Sequence, residues 1–132
     1  MSLQITEQLA QETPDDRVSD SPGCYALEIP VPDGRETIAR EWLAHFETLP
    51  PYFAPMCDAE RVIYVGAAKS VRDRIDEHCQ SDVRKATLPS VFGVDGLVRV
   101  WWFGSMDEAM QNEYNCAAEL NRELNSAYAH SR

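Results

Sequence analysis

The sequence predicts a small α/β domain in which three strands are flanked by helices, with a helical insertion between the first and second strands. Three observations carry this reading. Residues 24–29, 61–66 and 97–103 are short runs rich in β-branched and aromatic side chains, bounded by turn residues. Between and after them, apolar residues recur at helical spacing. At 132 residues the chain suits one domain with a single core rather than two.

Residues 1–20 carry Glu7, Glu12, Asp15, Asp16 and Asp20 against one arginine, with a weak helical pattern around Leu3 to Leu9, and read as an acidic N-terminal arm. The domain proper is expected over 21–132. Ser21-Pro22-Gly23 is a turn, 24–29 alternates as a strand ended by Pro30, and Pro32-Asp33-Gly34 is a second turn. Over 35–49, Ile38, Trp42, Leu43, Phe46 and Leu49 form an amphipathic stripe that Pro50-Pro51 terminates. A stripe that large predicts packing onto the domain, onto a second copy or onto a protein partner. Residues 50–60 read as loop, so the insertion spans about 31–59.

After the strand at 61–66, Ser70 followed by Asp73 resembles a capping box that opens a helix with Val71, Ile75 and Cys79 on one face. Arg74 and His78, four apart, lie together on its flank. The strand at 97–103 is followed by Ser105 and Glu108, a second capping signal. The helix behind it has an inward stripe of Ala109, Glu113, Cys116, Ala117, Leu120 and Leu124. One member of that stripe is a carboxylate.

The chain carries 22 acidic and 12 basic residues, a net charge of −10, and only Lys69 and Lys85 are lysines. Residues 61–85 hold six basic side chains against four acidic ones, a surplus of two that leaves −12 on the remainder. Acidity of this kind argues against nucleic acid as a partner, except in a protein built for a molar-salt cytoplasm, where scarce lysine and abundant carboxylates are the expected surface. The start lacks the pattern of a secretory leader and no 18-residue apolar run occurs, which predicts a soluble cytoplasmic protein without membrane association. Cys24, Cys57, Cys79 and Cys116 include no C-x-x-C pair, so reduced structural thiols are expected.

Taken singly, the polar candidates have bland readings. Glu113 can sit at the rim of a slightly rotated helix, Tyr25 and Tyr64 can be strand aromatics, Arg74 and His78 a solvated helix face, and Asn125 a helix C-cap. Taken together, Gly23-Cys24-Tyr25, Tyr64-Val65-Gly66, Arg74 ten residues beyond Tyr64, His78 four further, Glu113 four after Ala109, and Asn125 a dozen beyond that occur in order and in register. This set resembles the GIY-YIG nuclease family over roughly residues 21–128. The resemblance implies a small GIY-YIG-type domain with a three-stranded, mostly antiparallel sheet flanked by helices. Three departures stand out: Cys24 where Ile or Val is usual, Ala67 where several relatives have lysine, and about 38 residues between the two tyrosines instead of a dozen or so.

The resemblance further implies a metal-dependent endonuclease that hydrolyses phosphodiester bonds, with DNA favoured over RNA. Tyr25, Tyr64, Arg74, His78, Glu113 and Asn125 would form the catalytic set. Glu113 would hold one Mg²⁺ or Mn²⁺, Arg74 would contact the scissile phosphate, and either tyrosine would deprotonate or orient the attacking water with help from His78. Lys69, Arg72 and Arg74 would bind nucleic acid. The alternative expectation is a catalytically inactive relative that binds nucleic acid or protein. A third, an unrelated α/β interaction protein, requires that the matched residues do not meet around one cleft.

Overall fold

The computed structural model describes residues 20–50, 53–57, 61–80, 87–124 and 127–130. Asn125 and all but the last residue of the acidic arm lie outside the described residues. The element order is β1 (Gly23–Ile29), α1 (Arg35–Leu43), α2 (Phe53–Cys57), β2 (Val62–Ala68), α3 (Val71–Cys79), α4 (Leu88–Phe92), β3 (Gly96–Trp102), α5 (Met106–Leu124) and β4 (Ala127–His130).

β1 is the central strand of an antiparallel trio, paired with β2 on one side and β3 on the other. The three-stranded antiparallel sheet flanked by helices is therefore present as expected. A fourth strand extends it: β4 pairs parallel to β2, giving the order β3-β1-β2-β4. Four residues, Ala-Tyr-Ala-His, are too short a run for sequence pattern to distinguish from a helix tail.

The insertion departs from expectation in two places. The loop expected over 50–60 contains the short helix α2. The helix expected over 35–49 ends at Leu43, because the Trp42 indole N–H donates to the Thr48 carbonyl at 2.8 Å and draws the following segment back over the helix end. Ile38 and Trp42 are buried and the Phe46 ring lies tilted against Trp42 with centroids 4.8 Å apart, so these three members of the stripe pack on their own domain, whereas Leu43 and Leu49 are exposed.

α3 opens on Ser70, whose hydroxyl accepts from the Asp73 N–H, and Ser105 caps α5 in the same way through the Glu108 N–H. α4 carries a reciprocal Thr87 and Ser90 capping box with Pro89 in its first turn. Period-two alternation sends the strand side chains to two cores. One holds Tyr25, Leu27, Ile29, Val62, Tyr64 and Ala68 against α1, α3 and α4. The other holds Cys24, Ala26, Ile63, Val65 and Val98 against Ala109, Cys116, Ala117 and Leu120 of α5. All four cysteines are free thiols. No described helix is long and apolar enough to cross a membrane.

Candidate active site

Tyr25 sits directly opposite Gly66 in the β1–β2 ladder, and Tyr64 opposite Leu27, so both phenols rise from the same face of the sheet. Gly66 is what lets Tyr25 lean across β2: a Cβ at that position would run into the Tyr25 hydroxyl. The hydroxyl thereby reaches α3, where it shares a hydrogen bond with His78 Nε2 at 2.8 Å and feels the charge of Arg74. His78 is wedged between the phenols, its ring centroid 5.6 Å from that of Tyr25 and 5.3 Å from that of Tyr64, the latter edge-on. Tyr25, Tyr64 and His78 are each at most 4% exposed. The helix flank that sequence pattern assigned to Arg74 and His78 together is divided: His78 points into the core and Arg74 to its margin.

Burial pushes the Tyr25 phenol above the ordinary tyrosine range. The neighbouring Tyr64 pushes the same way, the Arg74 charge and hydrogen bond pull back without prevailing, and Glu113 adds a further upward push. Tyr25 is accordingly a neutral phenol at physiological pH, and its hydroxyl shares one hydrogen bond with His78 Nε2, in which the imidazole tautomer sets which atom donates.

Arg74 opens outward into a cleft of about 840 Å³ lined by Asp20, Pro22, Ala67, Ala68, Lys69, Ser70, Asp73, Arg74, Glu77 and Met106. Lys69 and Arg74, two of the three cations assigned to nucleic acid, share this wall. Arg72, the third, is exposed and lies 3.5 Å from the Asp20 carboxylate. Ala67 lines the same cleft, and Lys69 is the lysine on its wall. Sequence reasoning missed Glu77, whose Oε2 accepts from Arg74 Nη1 at 2.7 Å. The signal was present: Glu77 is three residues from Arg74, within reach on one helical face.

Glu113 is 4% exposed, in line with Ala109, Cys116 and Ala117 on the buried stripe of α5. The rim alternative for Glu113 is thus set aside. α5 covers the opposite face from the tyrosines, yet the Glu113 charge is felt at Tyr25 as well as at Cys24 and Cys116. Among the described residues no three or more His, Cys, Asp or Glu side chains gather to cage an ion. A single carboxylate suits a hard ion such as Mg²⁺ or Mn²⁺, which keeps several waters and takes its remaining oxygens from phosphate. Cys24 fits its unusual place in the first motif because its thiol donates to the Ala109 carbonyl at 3.1 Å, tying β1 to α5. A hydrogen bond with Cys116, reinforced by burial, holds that thiol well above the usual range, so it behaves as a small packing group.

Residues 53–125 match the family profile described as the GIY-YIG catalytic domain. The chain is 27% identical over 124 residues to UvrABC system protein C of Nitrobacter winogradskyi, an alignment that covers 94% of this chain and 18% of that relative. The chain thus spans less than a fifth of the relative's length. No solved structure gives a significant match.

Proposed function

Because the chain belongs to the GIY-YIG family, we propose that it is an endonuclease that hydrolyses phosphodiester bonds in DNA with the help of Mg²⁺ or Mn²⁺, acting in the cytoplasm. The observation that carries this is the Tyr25 hydroxyl hydrogen-bonded to His78 and under the influence of the Arg74 charge, with Arg74 itself lining a cleft large enough for a phosphodiester strand.

Hydrolysis needs an oriented water, stabilisation of charge on phosphorus and help for the leaving oxygen. Arg74 supplies the second need, its planar fork matching two phosphate oxygens. Tyr25 orients the water as a neutral phenol. His78 Nε2, 2.8 Å from that phenol, receives the phenolic proton as the water gives up its own. Tyr64 walls His78 and fixes its ring. Glu113 would hold the divalent ion, which when bound supplies positive charge to the phosphate oxygens. Lys69 and Arg72 engage neighbouring phosphates.

The test is a panel of end-labelled branched, nicked and single-stranded DNA and RNA substrates, incubated with purified protein and Mg²⁺ or Mn²⁺. Cleavage by the wild type and a loss on the order of 10²-fold or more in Arg74→Ala, the size of a lost transition-state electrostatic contact, is the expected result. Equal cleavage by Arg74→Ala removes its phosphate role, and no cleavage of any substrate sinks the enzymatic reading in favour of a binding module.

A further inference from the structure

Resting on that reading of the cleft, we propose that Glu77 occupies the phosphate position on Arg74 and sets the affinity for substrate, a carboxylate latch that a phosphodiester must displace. Arg74 has two engagements in the substrate-free protein. Inward, its charge is felt at the buried Tyr25 hydroxyl, and outward its Nη1 donates to Glu77 Oε2 at 2.7 Å. The bond to Glu77 lies on the cleft wall, where a phosphate oxygen would have to bind.

A carboxylate and a phosphate present the same pair of acceptor oxygens to a guanidinium, so Glu77 and the substrate compete for the same donors. Glu77 is suited to yield. Its side chain is 48% exposed while that of Arg74 is 27% exposed, and an ion pair at that exposure contributes little to stability. The charge of the cleft points the same way. Its wall carries three carboxylates, Asp20, Asp73 and Glu77, against two cations, Lys69 and Arg74. A phosphodiester entering that wall meets net repulsion until the carboxylate on Arg74 withdraws. Asp73 lines the same cleft one turn away and serves as the control: it carries an equal charge, but the guanidinium contact belongs to Glu77.

The experiment compares wild type, Glu77→Gln, Asp73→Asn and the double variant Arg74→Ala/Glu77→Gln. Inorganic phosphate is titrated against each, followed by ¹⁵N NMR of the arginine side chains, and a fluorescently labelled DNA oligonucleotide is titrated in EDTA by anisotropy. Glu77→Gln should bind both probes on the order of fivefold more tightly, the release of one exposed ion pair. Asp73→Asn should gain less than about twofold from the loss of charge alone. The gain from Glu77→Gln should vanish when Arg74 is alanine. Glu77→Gln that binds phosphate no better than Asp73→Asn, or more weakly than wild type, overturns the latch and makes Glu77 an ordinary support for Arg74. The expected phosphate gain in a protein that cuts no nucleic acid supports the latch while removing the nuclease reading. Normal cleavage with no phosphate gain removes the latch alone.

Discussion

The two faces of the sheet are made by alternate residues of the same strands, yet they bury different chemistry. Under α5, Cys24, Ala26, Ile63 and Val65 meet Ala109, Cys116, Ala117 and Leu120 from one continuous helix, with Glu113 the charged member of the stripe. On the other face three helices from separate parts of the chain converge on Tyr25 and Tyr64, and their core includes His78 and the inserted Trp42. A face closed by one helix is fixed by that helix's periodicity. A face assembled from several pieces is fixed by how they meet, and it is there that the polar cluster lies.

That contrast predicts an asymmetry between core truncations. Trp42→Ala should destabilise by about 3–5 kcal/mol and Leu120→Ala by about 2–5 kcal/mol in chemical denaturation, since each empties a well-packed site. Among molecules that remain folded, only Trp42→Ala should slow cleavage, because its core contains Tyr25 and Tyr64. Equal kinetic loss in Leu120→Ala would mean that both faces position the site.

Gly66→Ala is the next largest perturbation. Its methyl group meets the Tyr25 hydroxyl, and overpacking of this kind costs about 1–3 kcal/mol. The expected result is a larger loss of cleavage than of stability, with the Tyr25 to His78 hydrogen bond displaced. Unchanged turnover in Gly66→Ala would separate the motif glycine from the placement of Tyr25.

How much of this was legible follows from the same contrast. Glu113 stood out on a helical wheel because a single helix reports its own buried stripe. The three antiparallel strands, both serine caps and the existence of the Trp42 stripe were likewise local signals, whereas the surface that receives the stripe was not. The meeting of Tyr25 with Arg74 and His78 was legible only through the family motif, because it depends on cross-strand register opposite Gly66 and on the angle of α3. The early end of α1 hinges on one indole N–H reaching Thr48. Glu77 went unread because a charged residue on an exposed helix flank is ordinarily a solvated one.

A smaller effect concerns alkaline pH. The folded-state pKa of Tyr25 is raised above the unfolded value of roughly 10, so the native state holds a proton that the unfolded chain releases. Stability is therefore fully present below about pH 10 and falls above it, by at most about 1.4 kcal/mol per pH unit from this one group. Denaturation midpoints measured from pH 9 to 11 should show a decline that is reduced in Tyr25→Phe.

Smallest is the response to salt. With a net charge of −10, self-repulsion is relieved as the Debye length shrinks from about 10 Å at 0.1 M to about 3 Å at 1 M. The melting temperature should rise between 0.1 and 2 M KCl, and a flat or falling curve would remove the salt-adapted reading while leaving the site untouched.

The most direct measurement joins the two faces: cleavage by wild type and Glu113→Ala across a titration of Mg²⁺ and Mn²⁺, with circular dichroism to follow folding. Glu113 belongs to the helix that covers the face opposite the tyrosines, and its charge is nevertheless felt at Tyr25. The nuclease reading predicts that wild type cuts only when the ion is present and that Glu113→Ala, folded as well as wild type, does not cut at any ion concentration. Metal-dependent cleavage by Glu113→Ala equal to that of wild type would contradict it.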